Sequence, residues 1–193
     1  IVSGAGTYEL GEEATLSVIP QVGFRFLGWS GDLQGTGLSR NLIMNGNKTV
    51  RAIFEKLRYE VVTNQASGGA ISGGGTFEYG SVANLQATPE SGYSFIGWGH
   101  DVSGESNPLS LLVDGNKTVS ASFELSTYNL TVPVSTGGTV KGGGSFQHGT
   151  VANLLAQPAE GYAFVRWLGD SNESENPLAL TMNGNRYLEA VFE

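Results

Sequence analysis

The chain has 193 residues, no cysteine, a formal net charge of −8 at pH 7 and a pI of about 4.7. The lack of cysteine excludes disulfides and thiolate metal sites, and the acidic charge argues against a nucleic acid or an anionic membrane surface as a partner. No apolar run approaches the ~20 residues of a membrane-spanning helix, so we expect no membrane insertion.

A fixed spacing of aromatic residues runs through the whole chain. Trp29, Trp98 and Trp167 are separated by 98−29 = 69 and 167−98 = 69 residues. The same spacing relates three further sets: Phe26, Phe95 and Phe164; Phe54, Phe123 and Phe192; and Gly46, Gly115 and Gly184. A constant period without insertion or deletion predicts three tandem copies of one small unit.

We place the first repeat at residues 1–56, the second at 57–125 and the third at 126–193. The first repeat lacks the first strand that the others have. Either that strand lies upstream of this chain, or the unit is phased differently and the last copy is the short one. Because Ile1 falls within a repeat and is not Met, we expect a fragment or processed product that works as a monomer within a larger multidomain chain.

The second repeat illustrates the predicted elements in chain order. Residues 59–63 alternate as a strand, and a run of glycines between Ala70 and Phe77 predicts a bulge or tight bend. Residues 83–87 form the next strand. Pro89 and Gly92 then frame a turn, because proline suits the entry of a turn and glycine its exit.

Residues 93–98 form the most apolar segment, which we expect to be the central strand of the sheet. Residues 109–113 alternate again. Asp114-Gly115-Asn116 and its equivalents then predict hairpin turns with positive φ at Gly46, Gly115 and Gly184, since Asp-Gly and Asn-Gly suit type I′ turns. A last strand carries Val119, Ala121 and Phe123 toward the core.

No segment has a convincing helical period, so the prediction is a mainly β protein of three tandem small domains, each with five or six short strands. The links between repeats are about four residues long and poor in glycine, which predicts a semi-rigid rod. The predicted core consists of the three tryptophans with the two phenylalanine sets: Trp29, Trp98, Trp167, Phe26, Phe95, Phe164, Phe54, Phe123 and Phe192.

The motifs Gly-Gly-Gly-Thr-Phe, Gly-Tyr-x-Phe-x-Gly-Trp, Asn-Pro-Leu and Gly-Asn-Lys-Thr-Val-x-Ala-x-Phe resemble the divergent internalin-type B-repeat family over essentially the whole chain. The resemblance implies a compact β-grasp-like unit, no transferable catalytic role, and a place in bacterial exported or surface proteins. The third repeat departs from the pattern, since Arg166 replaces the glycine found at Gly28 and Gly97.

Two candidate sites have simpler structural interpretations. Asp32, Asp101 and Asp170 could ligate Ca²⁺, but few other oxygen side chains recur in their loop, so an aspartate that bonds its own turn is favoured. The tryptophans could stack on sugars, but their place in the most apolar strand favours the core. His100 and His148 are not equivalent, so we expect no repeated metal or acid–base site and no cofactor.

These observations predict a non-catalytic spacer or cell-adhesion module of a bacterial cell-surface or secreted protein, located extracellularly or at the cell surface. Its partner would be a host or environmental surface glycan or protein. The alternative is a carbohydrate-binding accessory module of a secreted polysaccharide-active enzyme. Exposure of two or more aromatic side chains on one open face would favour the alternative, and their burial would favour the spacer.

Overall fold

The computed structural model describes residues 1–64 and 66–193. These residues form β-strands joined by turns and contain no helix. The prediction of a mainly β chain built from tandem small β domains is therefore confirmed. By its contacts, the chain divides into two compact units: one contains Ile1–Thr63, Gly73–Leu85 and Pro108–Val119, and the other contains Asn64–Ser72, Gln86–Asn107 and Ser120–Glu193.

The third repeat, which lies wholly in the second unit, shows the complete fold. Its strands are β13 (Thr127–Thr131), β14 (Gly138–Lys141), β15 (Gly144–Gln147), β16 (Val151–Pro158), β17 (Phe164–Gly169), β18 (Leu178–Thr181) and β19 (Arg186–Phe192). One sheet has the order β15-β13-β19-β17 and the other β14-β16-β18. The first and last strands, β13 and β19, are parallel neighbours, and the other printed pairings in this repeat are antiparallel.

The core of this repeat forms because alternate residues of the strands face inward. Ala152, Leu154 and Ala156 of β16 are buried, with exposed residues between them. Leu130, Trp167 and Leu188 reach the same cluster from the larger sheet. This period-two pattern is the one that the sequence shows in strand after strand.

The second repeat has strands in the same order. They are β6 (Arg58–Thr63), β7 (Gly69–Ser72), β8 (Gly75–Glu78), β9 (Val82–Pro89), β10 (Tyr93–His100), β11 (Leu109–Leu112) and β12 (Lys117–Leu125). Seven strands are described where five or six were expected, because the glycine-rich segment divides into two. β7 pairs with β9 whereas β8 pairs with β6, so the chain changes sheet at Gly73 and Gly74.

The first repeat is smaller. Its strands are β1 (Val2–Ser3), β2 (Glu13–Val18), β3 (Phe24–Gly31), β4 (Ser39–Ile43) and β5 (Val50–Lys56). One sheet has the order β1-β2-β4, and β3 and β5 form a second sheet of two strands. Its buried core consists of Leu16, Val18, Trp29 and Leu33.

The expectation that the tryptophan strand lies in the centre of its sheet is wrong. Both β10 and β17 are edge strands. One face of the strand is open, since Ile96 is 46% exposed and Leu27 is 43% exposed. The high apolar content arises because one strand carries both a phenylalanine and a tryptophan to the core, while its aliphatic side chains remain exposed.

The hairpin expected at Asp114-Gly115-Asn116 and its equivalents is also wrong. β11 pairs with β9, whereas β12 pairs with β6, so the two flanking strands belong to different sheets. Gly46 has a positive φ of 151°, but Gly115 and Gly184 do not have positive φ. A type I′ turn is needed only where the flanking strands pair with each other, and here the chain crosses from one sheet to the other.

Candidate functional site

The predicted aromatic residues of each repeat come together on the tryptophan strand. In a regular strand, residues three apart face opposite sides. The register of β3 shifts between Phe26 and Gly28, and that of β17 shifts between Phe164 and Arg166. These β-bulges place the phenylalanine and the tryptophan of the first and third repeats on the same face, with ring centroids 5.3 Å and 5.2 Å apart. In the second repeat the ring centroids of Phe95 and Trp98 are also 5.2 Å apart. Arg166 is accommodated at the bulge because its side chain is exposed.

A second phenylalanine packs on the first in every repeat. The ring centroids are 5.7 Å apart for Phe26 and Phe54, 6.0 Å for Phe95 and Phe123, and 6.1 Å for Phe164 and Phe192. Phe192 is 9% exposed, and the other five phenylalanines are half-buried. The recurring trio is one packing unit of aromatic rings.

The tryptophans are structural members of this unit and hold the following loop. Trp29, Trp98 and Trp167 are 4%, 6% and 0% exposed. The indole Nε1–H donates to the carbonyl eight residues later, at 2.8 Å for Gly37 and Ser106 and 2.9 Å for Glu175. A sugar cannot stack on an indole buried in this way, so these rings do not form an open binding platform.

The repeated aspartates cap the start of a neighbouring segment. Asp32 Oδ2 accepts the Thr49 N–H at 2.6 Å, and Asp170 Oδ2 accepts the Tyr187 N–H at 2.6 Å. Asp101 occupies the equivalent position of the second repeat. In residues 1–64 and 66–193, no three His, Asp or Glu side chains are grouped so that they could hold a metal ion. The carboxylates at Asp32 and Asp170 thus act on backbone amides.

The crossing segment between the two sheets has its own polar contacts. Asn116 Oδ1 accepts the Glu60 N–H at 2.9 Å, and Asn185 Oδ1 accepts the Asn129 N–H at 2.9 Å. The hydrogen bond and positive charge of Lys117 lower the pKa of Asp114, whose carboxylate lies 2.7 Å from Lys117 Nζ. Gly115 and Gly184 have no other atom close to the position of an added Cβ.

The junctions between consecutive repeats carry a contact that the sequence analysis missed. In the first unit, Leu57 N–H donates to Gly23 O at 2.7 Å, and Tyr79 N–H donates to Leu57 O at 2.8 Å. The Tyr79 ring covers Gly23, since a Cβ added there would lie 2.0 Å from Tyr79 Cδ1. The link residue is thus held by one repeat on each side.

The junction in the second unit repeats this arrangement. Ser126 N–H donates to Gly92 O at 2.7 Å, and His148 N–H donates to Ser126 O at 2.8 Å. A Cβ added at Gly92 would lie 2.2 Å from His148 Cδ2. We name these two contacts the ring–glycine junctions. The two junctions are related by the 69-residue period, since Tyr79 and His148 are equivalent positions and both carry a ring.

The model of the divergent InlB B-repeat domain matches residues 1–58, 59–127 and 128–193. No curated protein matches the chain. The described residues also offer no helix that is long and apolar enough to cross a membrane. Since the three matches together cover the chain from end to end, it belongs to the divergent InlB B-repeat family and consists of three consecutive repeats.

Proposed function

We propose that this chain is a non-catalytic spacer module of a bacterial cell-surface or secreted protein, with weak multivalent adhesion as a further contribution. Repeats of this family are associated with surface and extracellular proteins. The observation that carries the proposal is the recurrence of the ring–glycine junction. A spacer must hold each repeat in a fixed position relative to the next, and therefore needs the same defined contact at every link.

The geometry of the link supports this function. A flexible tether exposes its backbone to water and has many conformations. Here the link residues Leu57 and Ser126 are half-buried, and the N–H and the C=O of each are bonded to residues on the two sides of the junction. Each hydrogen bond contributes about 0.5–1.5 kcal/mol, so opening a junction costs one such bond together with the ring contact.

The placement of exposed aromatics argues against the sugar-binding alternative. The most exposed aromatic side chains of the third repeat are Tyr162 and Tyr187, at 46% and 47%. Tyr162 precedes Phe164, which pairs with Phe192, whereas Tyr187 precedes Leu188, which pairs with Gly169 at the far end of β17. At about 3.3 Å per residue the two rings lie roughly 20 Å apart along the strand, too far to form one stacking platform.

The experiment measures rigidity and binding on the same protein. Spin labels on exposed residues of adjacent repeats, read by pulsed electron spin resonance, should give a narrow distance distribution across each junction. Small-angle scattering should give a radius of gyration clearly above the ~16 Å of a compact globule of this length. Broad distance distributions would contradict the spacer. Specific binding on a glycan array, lost when an exposed tyrosine is replaced, would favour the carbohydrate-binding alternative.

A further inference from the structure

The crossing segment between the two sheets has the same local sequence in the first and third repeats. Residues 44–47 and 182–185 both read Met-Asn-Gly-Asn. Asn45 and Asn183 are exposed, and a Cβ added at the glycine after either of them would meet no atom within 4 Å. No described residue accepts the backbone N–H of Gly46 or Gly184. Each asparagine is therefore open to water and precedes an unbonded backbone nitrogen.

An Asn-Gly pair in this condition has a defined reaction. The glycine nitrogen attacks the side-chain Cγ of the asparagine, so that a new N–C bond forms as the Cγ–NH2 bond breaks. The amide proton of the glycine leaves with the NH2 group as ammonia. Water then opens the cyclic imide at one of its two carbonyls and gives an aspartate or an isoaspartate. One water is consumed and one ammonia is released, and glycine favours the attack because it has no Cβ.

The two asparagines differ in what holds their side chains. In the third repeat, Arg186 Nη2 donates to Asn183 Oδ1 at 2.9 Å. In the first repeat, Lys48 takes the place of Arg186, and its Nζ lies 4.0 Å from Asp32 Oδ1. No described residue hydrogen-bonds the side chain of Asn45. The Asn45 side chain is thus free to rotate toward the glycine nitrogen, whereas that of Asn183 must first break its bond to the arginine.

The second repeat shows that the aspartate product fits the crossing segment. Asp114 lies at the position equivalent to Asn45, and its carboxylate is 2.7 Å from Lys117 Nζ. Lys48 is the equivalent of Lys117, and the two lysine side chains are 23% and 24% exposed. A carboxylate at position 45 therefore has the same cation three residues later in the same turn.

We propose that Asn45 is a site of spontaneous deamidation, and that it converts faster than Asn183 in the folded chain. Conversion adds one negative charge to the first repeat, so the formal net charge changes from −8 to −8−1 = −9. The new carboxylate pairs with Lys48 as Asp114 pairs with Lys117. The bond from Arg186 slows the same reaction in the third repeat. This inference is independent of the spacer function.

The test follows the whole folded chain during incubation at neutral pH. Peptide mapping by mass spectrometry measures the loss of each side-chain amide with time. Asn45 should convert at least about tenfold faster than Asn183, the factor expected for one hydrogen bond to a charged group. The control is the same chain in guanidinium chloride, where the two sites should convert at similar rates because residues 44–47 and 182–185 are identical.

A conservative variant tests the role of the arginine. Arg186→Lys gives the third repeat the side chain that the first two repeats have at this position. It should raise the rate at Asn183 about tenfold and leave the rate at Asn45 unchanged, which serves as the internal reference. The proposal is overturned if the folded chain loses neither amide, if Asn183 converts as fast as Asn45, or if Arg186→Lys leaves the rate at Asn183 unchanged.

Discussion

The ring of Tyr79 lies directly against the backbone of Gly23, so closely that any Cβ at Gly23 would overlap the ring. Gly23 belongs to the first repeat and Tyr79 to the second, and Leu57 hydrogen-bonds to both. In the next junction, His148 has the same relationship to Gly92. The glycine therefore has two roles: it leaves room for the ring of the next repeat, and it adopts the positive φ of its own turn. Mutation can separate the two roles.

Replacing Gly92 by alanine should destabilise the chain more than replacing Gly161 by alanine. The two glycines have nearly the same φ, +81° and +82°, but a Cβ at Gly161 meets no atom within 4 Å. Gly161→Ala should cost about 1–2 kcal/mol from backbone strain, and Gly92→Ala should cost at least about 1 kcal/mol more from the clash with His148. Chemical denaturation measures both. Equal losses would show that the ring contact contributes nothing.

Phe95→Ala should destabilise the second repeat by about 3 kcal/mol, because it removes the ring packed against Trp98 and Phe123. The neighbouring Ile96, 46% exposed on the other face, is the matched control, and Ile96→Ala should cost less than about 0.5 kcal/mol. Thermal melts followed by tryptophan fluorescence distinguish the two. A larger loss at Ile96 would mean that the open face of β10 is covered in solution.

Gly115→Ala should be tolerated, whereas Gly46→Ala should not. Both glycines have open space where the Cβ would be, but only Gly46 has positive φ. Alanine at Gly115 should stabilise the chain by about 0.4–1 kcal/mol through the unfolded state, while Gly46→Ala should destabilise it by about 1 kcal/mol or more. Urea unfolding of both variants provides the comparison. A type I′ turn at Gly115 would instead make the two variants equally harmful.

Asp170→Ala should destabilise the third repeat by about 1 kcal/mol, since the Tyr187 N–H loses its acceptor. The loss should be the same with millimolar calcium or with a chelator, because the carboxylate caps the backbone. Melting curves of the parent chain and of the Asp32→Ala variant under both conditions complete the test. A rise in melting temperature with calcium, abolished in the variants, would instead identify a metal site, since a ligand stabilises only the state that binds it.

The buried residues of the core could be predicted from the sequence because they follow a local pattern of alternating apolar residues. Apolar residues alternate along residues 83–87 and 152–156, and the inward set is buried in both strands. The sequence also predicts a bend at the glycine-rich segment. It does not predict the consequence of that bend, which is that the chain leaves one sheet for another at Gly73. Pairing partners lie far apart along the chain, so the local pattern could not reveal that β11 and β12 belong to different sheets.

The ring–glycine junction could not be predicted for a related reason. Tyr79 and Gly23 are 79−23 = 56 residues apart, and neither residue type by itself indicates such a contact. Tyrosine, histidine and glycine all have ordinary roles in turns and on surfaces. Only the folded backbone brings a ring over a glycine that has no side chain to obstruct it.

The sequence by itself determined the period, the tandem organisation, the β class and the identity of the family, because each is a property of residue order along one repeat. The tertiary structure alone decided which strands are neighbours, which strand lies at the edge and how consecutive repeats meet. These features depend on contacts between distant segments, whose free energies come from shape and hydrogen bonding in the folded state.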